Sequence, residues 1–114
     1  MAPGNLEFSI KESLSRTDAN SLPISTRVDD VSSDTDAIAG QIVLADSSDG
    51  DITITLPDNP TGLSVTIKKV SGSGNTVNVA TPNDETIDGQ NSLSITNEYT
   101  SREIVSNGDN YFIK

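Results

Sequence analysis

The sequence lacks histidine and cysteine, which restricts the chemistry that its side chains could perform. Without histidine the chain has neither the most common general base nor the most common zinc ligand. Without cysteine it has no thiol nucleophile and no disulfide. A serine nucleophile could still be activated by a lysine, and Lys68 and Lys69 are the candidates. Because Lys68 alternates away from the apolar side chains of its segment, we expect a solvated face for these lysines and no enzymatic activity.

Carboxylates supply the second kind of candidate chemistry, since hard cations such as calcium take six to eight oxygen ligands. The first acidic cluster comprises Asp46, Asp49 and Asp51 around Gly50, and the second comprises Asn83, Asp84, Glu85 and Asp88. Neither spacing matches a calcium loop of about twelve residues with alternating ligands. Asp-Gly is also a common hairpin tip. We therefore predict no cofactor, with calcium at either cluster as the alternative.

Aromatic side chains are scarce, and three of the four lie near the C-terminal end: Tyr99, Tyr111 and Phe112. Together they could form a platform for a carbohydrate. Strand alternation, however, places Tyr111 and Phe112 on opposite faces. We therefore expect at least one of these rings to lie in the core or in a subunit interface. So few rings also argue against a glycosidase cleft built from a pair of carboxylates.

The net charge of −10 at pH 7 argues against nucleic acid as a partner, because an acidic surface repels phosphates. The charge is explained by solubility, or alternatively by adaptation to high salt in a halophilic setting. No stretch approaches the ~20 apolar residues of a membrane span. The N-terminal residues lack the basic flank and apolar core of a signal peptide. The sequence predicts a soluble protein made in the cytoplasm.

Alternation of apolar and polar residues predicts a single all-β domain, without a convincing helical period. The predicted strands fall near residues 41–46, 51–56, 63–70, 76–80, 92–96, 101–106 and 111–114. Asp49-Gly50, Asp88-Gly89 and Asn107-Gly108 favour turns that need positive φ. Short strands separated by such turns indicate a small antiparallel β-sandwich or barrel, which we assign to residues 36–114.

Residues 1–35 are less regular, and we interpret them as an extended N-terminal arm or attachment segment. Within this segment Leu6, Phe8 and Ile10 alternate with polar residues, as in a strand with one covered face. Pro23 restricts the piece around it to an edge strand or an arm. We predict that the three apolar side chains fill a groove on a partner, while the backbone adds a strand to its sheet.

The order of features after residue 34 resembles a β-module that recurs in virion proteins of tailed bacterial and archaeal viruses, such as tail fibres and capsid appendages. The matching segments are IVLADSSDGDITITLP at 42–57, GLSVTIKK at 62–69, NTVNV at 75–79, ETIDG at 85–89 and VSNGDNYFI at 105–113. The resemblance implies a structural role in the virion, commonly as a homotrimer, and brings no catalytic residues.

The resemblance leaves several structural roles open. Here the module is nearly the whole sequence, without a coiled-coil shaft or collagen-like repeat. That favours a capsid-surface accessory subunit, of decoration or turret type, over a tail fibre or spike component. A receptor- or glycan-binding module is the third alternative. The expected partners are further copies of the chain and other virion proteins such as the major capsid protein.

Overall fold

The computed structural model describes residues 27–58 and 61–114, and within these ranges the chain is all-β. Nine strands are present there: β1 (Arg27–Val31), β2 (Thr35–Asp36), β3 (Gln41–Ala45), β4 (Ile52–Thr55), β5 (Val65–Lys69), β6 (Val77–Ala80), β7 (Ser92–Ile95), β8 (Ser101–Ser106) and β9 (Tyr111–Ile113). No helix of the described ranges has the length and apolarity needed to cross a membrane.

The strands form two mixed sheets, and the chain alternates between them from β1 to β6. The five-stranded sheet has the order β1-β3-β5-β8-β9, and the four-stranded sheet has the order β2-β4-β6-β7. The first six strands therefore make three successive coils, β1–β2, β3–β4 and β5–β6, each with one strand in each sheet. Strands β7, β8 and β9 then complete the two sheets through antiparallel pairing.

The predicted all-β class is confirmed, but the prediction of a wholly antiparallel arrangement is wrong. β1, β3 and β5 pair in parallel, and so do β2, β4 and β6. The Asp49-Gly50 turn was expected to close a hairpin, yet it connects β3 of one sheet to β4 of the other. Between two successive strands of one sheet the chain passes through the other sheet and returns. The two strands therefore run in the same direction.

One hydrophobic core is shared by both sheets, because alternate side chains of each strand are buried. In β4 the isoleucines are buried while Thr53 and Thr55 are half-buried, as the alternation predicts. In β5 the buried positions are Val65, Ile67 and Lys69. The core comprises Ala37, Val43, Ala45, Ile52, Ile54, Leu56, Val65, Ile67, Val77, Val79, Ile87, Ile95, Ile104 and Tyr111.

Turns near the C-terminal end agree with their sequence signals. Asp88 and Gly89 have φ of 50° and 80°, and the backbone of Ile87 and Gln90 closes the turn from both sides. Both central residues therefore occupy the left-handed region that such a turn requires. Gly108, with φ of 98°, lies in the connection between β8 and β9.

The predicted attachment segment, residues 1–35, overlaps the paired part of the fold. β1 pairs with β3, and Thr35 of β2 lies opposite Ile54 of β4. The first coil thus belongs to both sheets. Leu6, Phe8 and Ile10 lie outside the described residues, so the arm itself stays a prediction.

Candidate interaction surface

We use the term outer face for the side of the five-stranded sheet that points away from the core. Its side chains alternate along each strand with the core positions. Register places Val28, Ile42 and Thr66 side by side across three strands, and it does the same for Asp30, Leu44 and Lys68. The outer face comprises Val28, Asp30, Ile42, Leu44, Thr66, Lys68, Ser101, Glu103, Val105 and Phe112.

Half of the outer face is apolar. Val28 is 58% exposed and Phe112 is 41% exposed. Ile42, Leu44 and Val105 are half-buried. A shallow depression of about 320 Å³ lies over Ile42 and Thr66 and extends to the loop before β5. Such partly exposed groups of apolar side chains on one sheet face are typical of a surface that contacts another molecule.

The corresponding face of the four-stranded sheet has a different composition. Its outward positions are Asp36, Thr53, Thr55, Asn78, Ala80, Ser92 and Ser94. Apart from Ala80 these side chains are polar, as expected for a sheet face in water. The two sheets therefore differ: apolar side chains are common on the outward side of the five-stranded sheet and rare on that of the four-stranded sheet.

The outer face and Lys114 beside it together carry no net side-chain charge, although the whole chain carries −10. Asp30 and Glu103 are its two acidic side chains, and Lys68 is its basic one. Lys114, at the end of β9, brings its ammonium within 3.6 Å of the Glu103 carboxylate. Lys68 holds its ammonium 5.7 Å from the centre of the Tyr99 ring. Two acids and two bases give this surface no net charge.

Strand β1 is an edge of the five-stranded sheet, and no described strand pairs with its other side. Its charged residues are typical of edges that avoid indiscriminate strand addition. The Asp29 carboxylate accepts a hydrogen bond of 2.7 Å from the Gln41 amide and lies 3.3 Å from the Arg27 guanidinium. Residues 1–26 precede this strand in the chain and lie outside the described residues.

Lys69 is fully buried, so the prediction of a solvated position is wrong for this lysine. Its ammonium donates hydrogen bonds to the carbonyl oxygens of Ser71 at 2.6 Å and Ser73 at 3.1 Å. The ammonium also lies 3.5 Å from the Ser71 hydroxyl. The period of two in β5 places Lys69 on the same side as Val65 and Ile67, and that signal could have revealed its burial.

The serines near Lys69 form a structural network. The Ser71 hydroxyl is 3.1 Å from that of Ser47 and 3.3 Å from that of Ser73. Ser47 is fully buried and Ser71 is 8% exposed. The Asn75 amide donates a bond of 2.9 Å to the Ser47 carbonyl. The lysine and serines thus join the ends of β3 and β5. The absence of enzymatic activity stays a prediction.

Asp51 of the first acidic cluster binds the backbone at a coil corner, which is our name for the turn between the two strands of a coil. Asp51 accepts a hydrogen bond of 2.7 Å from the Thr76 N–H of the next coil. Asp34 accepts one of 2.8 Å from the Thr53 N–H in the same way. If the register of the four-stranded sheet is extended by one residue toward the start of each strand, Asp51 lies opposite Thr76 and Asp34 lies opposite Thr53. These carboxylates therefore satisfy donors at the start of the neighbouring strand.

Asp46 stands apart from these corner aspartates, because its carboxylate serves its own loop. It accepts a bond of 2.9 Å from the Ser48 N–H. Hydrogen bonds from the side chain and then the backbone of Ser48, with a smaller contribution from the charge of Lys69, hold the pKa of Asp46 below its ordinary value.

Calcium binding stays a prediction at both acidic clusters. Asp49 and Asp51 of the first cluster, together with Asp34, line an open depression of about 420 Å³. In the second, Asn83 binds Glu85 within the loop, and Asp88 instead accepts a bond of 3.1 Å from the N–H of Ile113. Across residues 27–58 and 61–114, no set of three or more acidic side chains is arranged to hold a metal ion.

The three C-terminal aromatic rings do not form one platform. Tyr111 is buried and donates its hydroxyl proton to the Pro57 carbonyl, while Phe112 lies on the outer face. The expectation that at least one ring belongs to the core is confirmed. Tyr99 is 63% exposed and has φ of 62°.

The sequence was compared with the models of known protein families and with curated proteins. Neither comparison finds a match.

Proposed function

We propose that this chain is a structural subunit of a virion, located on the capsid surface as a decoration or turret protein. In this proposal the two sheets form a β-sandwich or barrel, and residues before β1 form an arm that docks on the shell. The partners are the major capsid protein and further copies of the chain, as a homotrimer.

The observation that carries the proposal is the position of the free edge. β1 begins at Arg27, directly after the segment that contains Leu6, Phe8 and Ile10. It borders the five-stranded sheet, and no strand of the described residues pairs with its other side. A segment leaving this edge can reach a neighbour without crossing the fold. Ten extended residues span about 33 Å, which is enough to reach an adjacent subunit.

The resemblance to the tailed-virus module supports the same proposal, because its segments correspond to structural elements. Residues 42–57 contain most of β3 and all of β4, 62–69 contain β5, and 105–113 contain β9. Residues 85–89 include the buried Ile87 and the turn at Asp88 and Gly89. The apolar residues on which the resemblance rests thus lie largely in the core.

Particle binding by the full chain tests the proposal. Purified protein is added to particles that lack it, and electron microscopy locates the added density. We expect many copies on the shell. Phe8→Asp should abolish binding, because a charge on the apolar side of the arm cannot enter an apolar groove. Ser9→Asp is the matched control on the opposite side and should bind normally. Density at the tail, or equal binding by both variants, would contradict the proposal.

A receptor- or glycan-binding role is a second candidate, and Tyr99 favours it. A non-glycine residue with a left-handed backbone costs on the order of 1–3 kcal/mol, and such strain clusters at functional sites. The exposed ring beside Lys68 combines an apolar face with a charge. A glycan array with the full chain and Tyr99→Ala tests this role. Binding to no glycan would remove it.

A further inference from the structure

We propose that the outer face of the five-stranded sheet is the surface through which copies of this chain associate with one another. This inference deepens the proposed function, since it assigns a surface to the homo-oligomer. In the proposed homotrimer the outer face of each copy contacts the outer faces of the other two copies around the threefold axis. The arm stays available for the shell.

The first argument is the apolar content of the outer face. Val28, Ile42 and Leu44 are neighbours on β1 and β3, and Val105 lies opposite Phe112 on β8 and β9. The polar outward side chains of β5 lie between these two apolar groups. Sheet faces pack about 10 Å apart when their side chains interdigitate. The four-stranded sheet has only Ala80 among its outward positions to offer for such packing. A sheet-on-sheet contact between copies therefore has one suitable face.

The second argument is electrostatic. Two copies that each carry −10 repel one another, and the repulsion acts over a Debye length of about 8–10 Å in physiological salt. The outer face, with Lys114 at its border, has two acidic and two basic side chains and no net charge. Copies that meet here bring together surfaces without net side-chain charge. Lys68 of one copy can also meet Asp30 or Glu103 of another, which is the complementarity that a self-association surface needs.

The arm is the rival occupant, because Leu6, Phe8 and Ile10 could lie on the same face. The charge pattern favours a second copy. An arm strand needs an apolar groove and free backbone groups at an edge. The balanced charges, however, are distributed over β1, β5 and β8, and only a partner that covers the whole face would contact all of them. The experiment includes a variant that separates these two occupants.

Sedimentation equilibrium of the full chain across a range of concentrations tests the inference. We expect a mass of three times 12.0 kDa. Phe112→Asp and Val28→Asp should each raise the dissociation constant by at least about tenfold, since a buried charge opposes association. Ile38→Asp is the matched control, because Ile38 is 42% exposed and lies in the connection before β3, outside the strands that form this face.

Because Val28 and Phe112 are exposed, we expect Val28→Asp and Phe112→Asp to fold. Circular dichroism of each variant checks that its strand content is unchanged. A full chain that stays at 12.0 kDa at every concentration overturns the inference. So does equal association of Phe112→Asp, Val28→Asp and Ile38→Asp. Dissociation by Phe8→Asp with no effect of Val28→Asp makes the arm the occupant and also overturns it. Self-association in solution is independent of particle binding, so failure of one proposal is distinguishable from failure of the other.

Discussion

Replacement of Lys69 by methionine tests whether a buried ammonium holds the corner after β5 together. Methionine keeps most of the volume of the lysine stem but removes all three donors. The carbonyl oxygens of Ser71 and Ser73 then lose their hydrogen-bond donor. Hydrogen bonds to charged groups contribute about 1.5–3 kcal/mol each, so two of them correspond to roughly 3–6 kcal/mol.

Two effects reduce this figure. Removal of the ammonium also removes the free-energy cost of burying a charge, and among the described residues no carboxylate lies within 4 Å to offset that cost. Ser73 is half-buried, so its carbonyl can regain a water molecule. We therefore expect Lys69→Met to lower the free energy of unfolding by about 2 kcal/mol, which is less than the roughly 3–6 kcal/mol of the two hydrogen bonds alone. For a domain of this size that is a fall in Tm of about 10 °C.

Urea unfolding followed by circular dichroism measures the change, with an unchanged slope as evidence that the native state is intact. The matched control is Lys68→Met. Its ammonium lies at the outer face over Tyr99, so its effect should stay within about 0.5 kcal/mol. If Lys69→Met were as stable as the parent or more stable, the cost of burying the charge would exceed the hydrogen bonds, and our reasoning would be refuted.

Two further predictions concern Asp51, which binds the backbone of the next coil, and Asp46, which binds its own loop. Asp51→Ala should lower the free energy of unfolding by about 1 kcal/mol in the same assay, because the Thr76 N–H loses its acceptor. Asp51→Asn keeps an acceptor oxygen and should lose less, whereas equal losses would attribute the effect to charge. Asp46 stabilises the fold above its ordinary pKa of 3.8, and this contribution is lost as the pH falls through its lowered pKa. A carboxyl titration by nuclear magnetic resonance should show Ser48→Ala raising the pKa of Asp46, and an unchanged pKa would contradict the stated cause.

Strand positions could be predicted from the sequence because they depend on a local pattern. Ile52, Ile54 and Leu56 alternate with threonines, and all three are buried. Tyr111 and Phe112 likewise separate into core and surface, as alternation requires. A strand with one covered face shows that pattern whatever its partner, so neighbouring residues are sufficient to reveal it.

The outer face was not predicted, although its residues belong to predicted strands. Ile42 and Leu44 were part of the apolar run at residues 41–46, which does not indicate which side chains face the core. Register against β1 and β5 assigns them to the same side as Val28 and Thr66. A surface built from five strands depends on residues far apart in the chain, and a single-sequence pattern does not report those pairings.

The sequence by itself determined that this protein consists of short strands joined by turns, because alternation and Asp-Gly signals act over a few residues. Only the tertiary structure decided that the first six strands pair in parallel and that Lys69 is enclosed by carbonyl groups. Pairing depends on which sheet a strand enters after its turn, and the environment of Lys69 depends on the loop that follows it. Both are contacts between segments, and their free energy exists only once the chain has folded.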